Sequence, residues 1–490
     1  MPNHNLRFLV PFFSALLLAA CGGGGSDSTD TKGSSFVLQL VTLRSDSLAN
    51  TNSAKCQVYY QTGSSNSEGD ATYYYATAVT DPAVALYNAD GSLSSRLSVD
   101  SSGKVQVYDS DVPSGGYLAV TTTTIGQAFT EYNVTALSSS LLGAMTLSVA
   151  SSNTSGNCVS GTYSAPASST GYMNINVPGD FSAAPVIYRL DNGVDVTTTA
   201  SNTKLTLTVY QDHPLLVTAY GHYDSDTGKA SDMVGYAFIS ASALCSQSAS
   251  CDGVDLVALD QTPAISFLNE DATDNAVLKV VSDSNIYNWQ TLAASDTRFG
   301  YSDSLASANW YYRANGSYLN WDIARHSAIS APDAGVDVNL LGSLNLSDAD
   351  PQTSASCSGA SFACVTLGGA SASQFDYQRT LVSAYSSSGK VYMAMQVLGP
   401  AASQVNLPKV VDSSGNLLMS ASDLAAGSVT VKLLSASESA LFQDQRDDNL
   451  GGSDALYYGT VLESLAQQQS LASTLAASDS LRLSRSHSSL

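Results

Sequence analysis

Four histidines lie beyond the first fifty residues: His213, His222, His326 and His487. None stands in an HExxH pattern, and the chain has neither a GxSxG nucleophile elbow nor a phosphate-binding Walker loop. His213 and His222 flank "PLLVTAY" nine residues apart. In a continuous strand an odd spacing puts them on opposite faces, which argues against a shared metal. In "DSDTGKASD" (224–232), Asp224, Asp226 and Asp232 surround Gly228. This is part of what a calcium loop needs, hard oxygens in alternation with a glycine at the sharp turn, but a third alternating ligand and the terminal Glu are missing. A polar hairpin turn is the stronger of the two readings. Carboxylates are plentiful enough to make a glycosidase pair, and no pair is singled out by its setting.

One concentration of chemistry remains. Trp289, Trp310 and Trp321 fall within 33 residues, with Tyr287, Tyr301, Tyr311, Tyr312 and Tyr318 among them. "NWYYRANGSYLNWD" (309–322) has the composition of a carbohydrate platform, in which rings stack on sugar faces while Asn and Asp bond the hydroxyls. Trp310, Tyr311, Tyr312, Tyr318 and Trp321 are therefore candidate ligand-binding residues. The competing reading is an aromatic core, the commoner use of Trp and Tyr in sandwiches. "NWYY" cannot point all its rings one way along a strand, so some aromatic surface is expected to be exposed.

The elements around these residues read as β throughout. "KVQVYDSD", "GYLAVTTTT", "KLTLTVYQD", "LLVTAYGHYD" and "KVYMAMQV" are rich in β-branched and aromatic residues and are separated by Asn, Asp and Gly turns. An internal echo runs through them. "VDSSGKVQVYDSDVPSG" (99–115) matches "VDSSGNLLMSASDLAAG" (411–427) at eight of 17 positions, and "NTKLTLTVYQDHPLLVTAY" (202–220) is a looser copy. The "DVPSGGYLAV" phrase resembles the edge hairpin of transthyretin-like or carboxypeptidase-regulatory-like sandwich modules. The resemblance implies tandem sandwiches and no catalytic group. The expected fold is all-β, tandem antiparallel β-sandwich modules with a short C-terminal helix; a single β-propeller is the alternative. The expected divisions are modules at 36–160, 161–258 and 259–445, followed by a helix and tail at 446–490.

Composition narrows the function. The 42 acidic residues against 20 basic ones give a net charge of −22, which repels nucleic acid, since binding it requires Lys and Arg on the phosphates. Six of the seven cysteines are an even set suited to an oxidising compartment. Cys245 and Cys251 enclose a five-residue polar loop and Cys357 and Cys364 a six-residue one, leaving Cys56 for Cys158. Disulfides are favoured over metal, because no CxxC occurs.

The seventh cysteine ends an apolar run of 13 residues, Phe8 to Ala20, too short to span a bilayer and matching a secretory h-region. "LAAC" at 18–21 resembles the lipobox of bacterial lipoproteins. That resemblance implies cleavage of a 1–20 signal peptide before Cys21 and acylation of its thiol. Gly22 to Gly25 and the polar residues to Ser35 then form a flexible tether. Gly22 in place of Asp after the cysteine implies the outer membrane, on its periplasmic or cell-surface face. No cofactor is expected unless the acidic turn takes calcium. The functional expectation is a lipid-anchored, non-catalytic envelope protein binding a glycan, an envelope component or a protein. The alternative is a polysaccharide hydrolase using unidentified carboxylates. Cys21→Ser is expected to abolish incorporation of labelled palmitate and to leave the precursor unprocessed or soluble. A variant that still incorporates label and still fractionates with outer membranes would refute the anchor.

Overall fold

The computed structural model describes residues 33–47, 56–62, 72–151, 157–161, 168–179, 181–192, 196–200, 205–211, 213–246, 253–283, 285–436, 462 and 479–488. Cys21, Cys251 and residues 446–461 and 463–478, where the helix was expected, lie outside these. The fold is all-β, with several sheets in sandwich-like layers.

Its spine is a twelve-stranded sheet. In spatial order the strands are Asn285–Ala293, Thr273–Ser282, Asn309–Tyr318, Trp321–Ile329, Ser480–Ser488, Ser428–Ser435, Tyr377–Tyr385, Val391–Pro400, Thr130–Ser138, Tyr117–Ile125, Ala83–Tyr87 and Leu93–Leu97. All neighbours are antiparallel except Val391–Pro400 and Thr130–Ser138, which run parallel. The residues expected as separate modules at 36–160 and 259–445 thus share one sheet, and the boundary near 160 does not divide it. A propeller would split the strands into short radial blades; a continuous sheet of this length is a different architecture.

Each face of the spine has its own cover. On one, Leu38, Leu40, Val105, Val107 and Leu147 of a smaller sheet meet Val84, Leu86, Leu118, Val120, Leu137 and Leu398. This is a sandwich built from residues 35–149 plus a strand contributed from near residue 398. Cys56 and Cys158 are joined beside it, with Cα atoms 5.2 Å apart across 102 residues. In the chain-entropy account, closing so long a loop is worth about 5 kcal/mol. Cys357–Cys364 closes a short loop (Cα–Cα 6.2 Å), and Cys245 is also disulfide-bonded. The opposite face meets Val338, Leu340, Val365, Val405, Leu407 and Leu424 of the 259–436 segment. The middle module, a five-stranded sheet facing the pair Ser168–Met173 and Leu205–Tyr210, has its own core of Tyr188, Leu190, Val209, Val217 and Ala219.

The sequence echo is a repeated turn and corner. Asp100 Oδ1 accepts from the amides of Ser102 and Lys104, and Asp412 Oδ1 from those of Ser414 and Asn416, all at 2.8 Å. Gly103 and Gly415 supply the left-handed backbone (φ 76° and 86°) that the turn requires. Each copy then reaches a glycine just before a spine strand. A Cβ on Gly116 would lie 2.1 Å from the Tyr87 carbonyl, and one on Gly427 would lie 2.2 Å from that of Ser383. Between these points the first copy forms the strand Lys104–Tyr108 where the second, at 416–420, does not, and both then take a short helical corner, Asp109–Asp111 and Ala421–Ala425.

The expected C-terminal tail is instead a central strand. Ser480–Ser488 pairs with Trp321–Ile329 on one side and Ser428–Ser435 on the other, joining the two halves of the spine. Leu481, Leu483 and Arg485 alternate inward, while Ser484 and Ser486 face the other side, a period of two. Arg485 is 3% exposed. Its Nε donates to Asp350 Oδ1 (2.8 Å), Nη1 to the carbonyls of Leu319 (2.7 Å) and Ser347 (3.3 Å), and Nη2 to the Asp348 carbonyl (3.2 Å) and carboxylate (2.9 Å). The Trp321 ring lies 5.8 Å away, and His487 Nδ1 is 3.1 Å from Asp350 Oδ2.

Bonding to Arg485, and then to Asn320, holds the Asp348 carboxyl below the ordinary carboxylate range. Its contribution to stability is therefore complete above the unfolded carboxylate value and is lost as pH falls through the lowered one. It is small, because the Asp348 side chain is 63% exposed. Arg485→Met is expected to destabilise by about 3–5 kcal/mol, since it strands buried partners. Ser486→Ala, at an exposed site, should stay within about 0.5 kcal/mol. Urea unfolding of the two variants checks this, and equal midpoints would show that Arg485 does not hold the seam.

Candidate functional site

The 309–322 aromatics do not form a platform. Trp310, Tyr312 and Trp321 are 2%, 6% and 0% exposed and point into the main core. Tyr311 points to the other face, yet Val281 and Ile286 cover it there, with the His326 ring 4.2 Å away. The expectation that "NWYY" must expose rings fails because side chains of the flanking strands bury Tyr311 on its own face. Only Tyr318 reaches solvent, at 42%, beside the two-residue turn where Leu319 and Asn320 take positive φ. The buried rings fasten the middle module to the spine. Trp289 lies 4.9 Å from Tyr236 and 5.2 Å from Trp310, and its Nε1 donates to the Gly300 carbonyl at 2.7 Å.

The acidic turn also gives way as a site. Asp224 Oδ1 accepts from the Asp226 amide (2.9 Å) and Oδ2 from Thr227 Oγ1 (2.7 Å), so its carboxylate closes its own hairpin. These bonds hold its carboxyl below the ordinary range, Thr227 first among them. Asp232 sits apart, at a left-handed position (φ 58°). Among the described residues, no three His, Cys, Asp or Glu side chains gather as a metal site. His213 leans on Tyr287 at 4.6 Å, with burial lowering its pKa, and His222 faces Ser231 Oγ at 3.3 Å.

An exposed aromatic group forms elsewhere, where two hairpins end side by side. Tyr377–Tyr385 turns into Val391–Pro400 through "SSSGK", with the Gly389 amide donating to the Ser386 carbonyl (2.7 Å) and Gly389 at φ 68°. Ser387 is tied by its amide to Asp423 Oδ1 (3.0 Å) on the short helix. Tyr117–Ile125 turns into Thr130–Ser138 through "GQAF", and the Thr130 amide reaches the Lys390 carbonyl (2.9 Å), which locks the tips together. Register then sets Tyr385 opposite Tyr392, Tyr392 opposite Glu131, and Glu131 opposite Thr124. Directly paired residues share a face, so these four form one row of roughly 14 Å at about 4.8 Å per strand. The Tyr385 and Tyr392 rings are 4.8 Å apart at 44°, and Phe129 meets them edge-on at 5.6 and 6.1 Å. Tyr385 is 56% exposed, and Tyr392, Phe129 and Glu131 are half-buried. Asn133 Nδ2 donates to Glu131 Oε1 at 3.0 Å, placing an amide and a carboxylate beside the rings.

The same face carries a row of cations, Lys279, Arg313, His326, Arg482, Lys432 and Arg379, on six successive strands. Each already makes a hydrogen bond, ion pair, ring contact or electrostatic interaction, so that row is structural. The hairpin tips are the candidate site. Sequence reading passed over them, although "AYSSSGKVYM" sets two tyrosines symmetrically about a turn, with Ser383 and Ala394 rather than large apolar residues next on their face. Compared with protein-family models and with characterised proteins, the chain finds no match in either.

The burial pattern separates the two aromatic sets. Trp321→Ala is expected to destabilise by about 3–5 kcal/mol through lost burial and a cavity, whereas Tyr385→Ala should change stability by no more than about 0.5 kcal/mol. Thermal melts check both, and a large loss for Tyr385→Ala would remove it from the surface.

Proposed function

We propose that the chain is a lipid-anchored outer-membrane protein, tethered through Cys21, that binds a neutral glycan without catalysis at the hairpin tips. The row of Tyr385 and Tyr392 beside Glu131, with Phe129 edge-on, carries this reading. The C–H face of a sugar ring is apolar and stacks on an aromatic face, while its hydroxyls bond amides and carboxylates. An open row about three strand spacings long suits successive sugars of a polymer better than one enclosed molecule. A net charge of −22 disfavours anionic polymers at long range.

The position of the tips fits a tethered protein. The described chain enters near Ser34, whose carbonyl accepts from the Asp109 amide (3.0 Å). Asp109 opens the corner leading into Tyr117–Ile125, and the tips lie at the far end of that strand, roughly 27 Å on at 3.4 Å per residue. The tether therefore joins the body at a point removed from the aromatic row, which leaves the row free of the attachment. Among the described residues no helix is long and apolar enough to cross a membrane.

Pull-down of the purified protein on insoluble neutral polysaccharides tests the proposal. Wild type is expected to be retained, with Tyr385→Ala and Tyr392→Ala each reducing retention about tenfold, the equivalent of 1.4 kcal/mol. Retention unchanged in the double variant would refute the site, and release of reducing sugars would instead support the hydrolase reading.

A further inference from the structure

A cleft of about 310 Å³ opens where the closing strand enters the sheet, and Arg325, Ser343, Gln374, Ser435, Asp479 and Ser480 line it. The closing strand begins one residue after Asp479 and pairs with both flanking strands there, His326 with Ser480 and Ser435 with Leu481. Arg325 is held from behind, its Nε donating to the Leu340 carbonyl (2.9 Å) and Nη2 to that of Leu341 (3.3 Å). Gly342 makes this possible, since a Cβ there would lie 2.6 Å from Arg325 Nη2. Among the described residues Arg325 Nη1 has no hydrogen-bond partner. Asp479 is held in the same way, Oδ1 accepting from Ser327 Oγ (2.8 Å) and the Ala328 amide (3.1 Å), with Oδ2 unbonded among the described residues. Gln374 Nε2 donates to the Ser343 carbonyl (3.2 Å), while its Oε1 is buried without a partner.

The cleft thus presents a cationic donor and a charged acceptor, each oriented by bonds on its far side. Arg325 and Asp479 attract each other across the cleft without direct contact, which leaves Nη1 and Oδ2 open to a ligand. We infer that the cleft binds a small zwitterion of the α-amino acid or dipeptide class. Its carboxylate lies on Arg325 Nη1 and its ammonium on Asp479 Oδ2. The volume is at the lower end for small-molecule sites, and charge-assisted bonds at both ends favour a ligand bearing both charges over one bearing either.

Calorimetric titration of the full chain with L-alanyl-L-alanine tests this, with N-acetyl-alanyl-alanine and alanyl-alaninamide each removing one ligand charge. Saturable millimolar or tighter binding is expected, falling at least tenfold for either blocked peptide. Asp479→Asn keeps the Oδ1 acceptor and should fold normally, and it should lower affinity by the same factor. Arg325→Gln should do likewise, and the blocked peptides decide the matter if that variant folds poorly. Failure of the unblocked dipeptide to bind, or binding that survives removal of either charge, overturns the assignment.

Discussion

Arg485 carries its charge into a site where only 2% of the side chain meets solvent, tolerable because five oxygens receive it. Three are carbonyls from two loops, and two are carboxylate oxygens from residues two apart. A guanidinium fork matches such a planar set in a way that a lysine ammonium cannot. What it holds is the strand on which the spine depends. Without Ser480–Ser488 the sheet would end at Trp321–Ile329 on one side and Ser428–Ser435 on the other, leaving two long unpaired edges. The parallel join between Val391–Pro400 and Thr130–Ser138 then ties the N-terminal sandwich to the same half-sheet. The pairings of Thr130–Ser138 with Val391–Pro400 and of Trp321–Ile329 with Ser480–Ser488 join strands far apart in sequence, a topology expected to fold slowly.

A second constraint follows from layering sheets without long helices. Two sheets about 10 Å apart must be filled by side chains alone, and the largest rings gather where the middle module meets the outer strands of the spine. Tyr236, Trp289, Trp310 and Tyr301 meet there in edge-to-face or tilted contact. Polar links at the margin set the angle. Asp191, 4% exposed, accepts from the Asn288 amide (2.8 Å) and side chain (3.1 Å) beside the bulge in Asn285–Ala293. Lys229 and Asp296 add an ion pair at 3.0 Å. The aromatic density that stood out in the sequence is thus a measure of how much space one interface needs.

What was legible in the sequence was local. Turn chemistry at Asp100–Gly103 and Asp412–Gly415, the strand-rich composition and two cysteine pairings all depend on near neighbours or on elimination. Module boundaries depend on which distant strands pair, and nothing between residues 138 and 391 announces that Thr130–Ser138 is waiting for Val391–Pro400. "LRLSRSHS" did alternate with period two, but serines and arginines on a strand look like a polar tail until Asp348 and Asp350 are in place to receive Arg485. For the candidate site the difficulty was similar. Tyr311 and Tyr385 have the same chemistry, and only the cover over each face separates a core ring from a surface one.

The two proposed sites differ in the way their settings differ. The hairpin tips are an open row on strands already paired on both sides, so an occupant there adds contacts without altering the sheet, as suits a polymer held by repeated stacking. The cleft beside Asp479 is formed only when the closing strand is seated, because Arg325 comes from one neighbour of that strand and Ser435 from the other. A molecule binding across it binds the closed sheet and not the open one, so its binding free energy adds to the stability of the seam. Arg485 holds the middle of the strand by charge and hydrogen bonds from within the chain. The cleft offers the start of the same strand a second hold, supplied from outside.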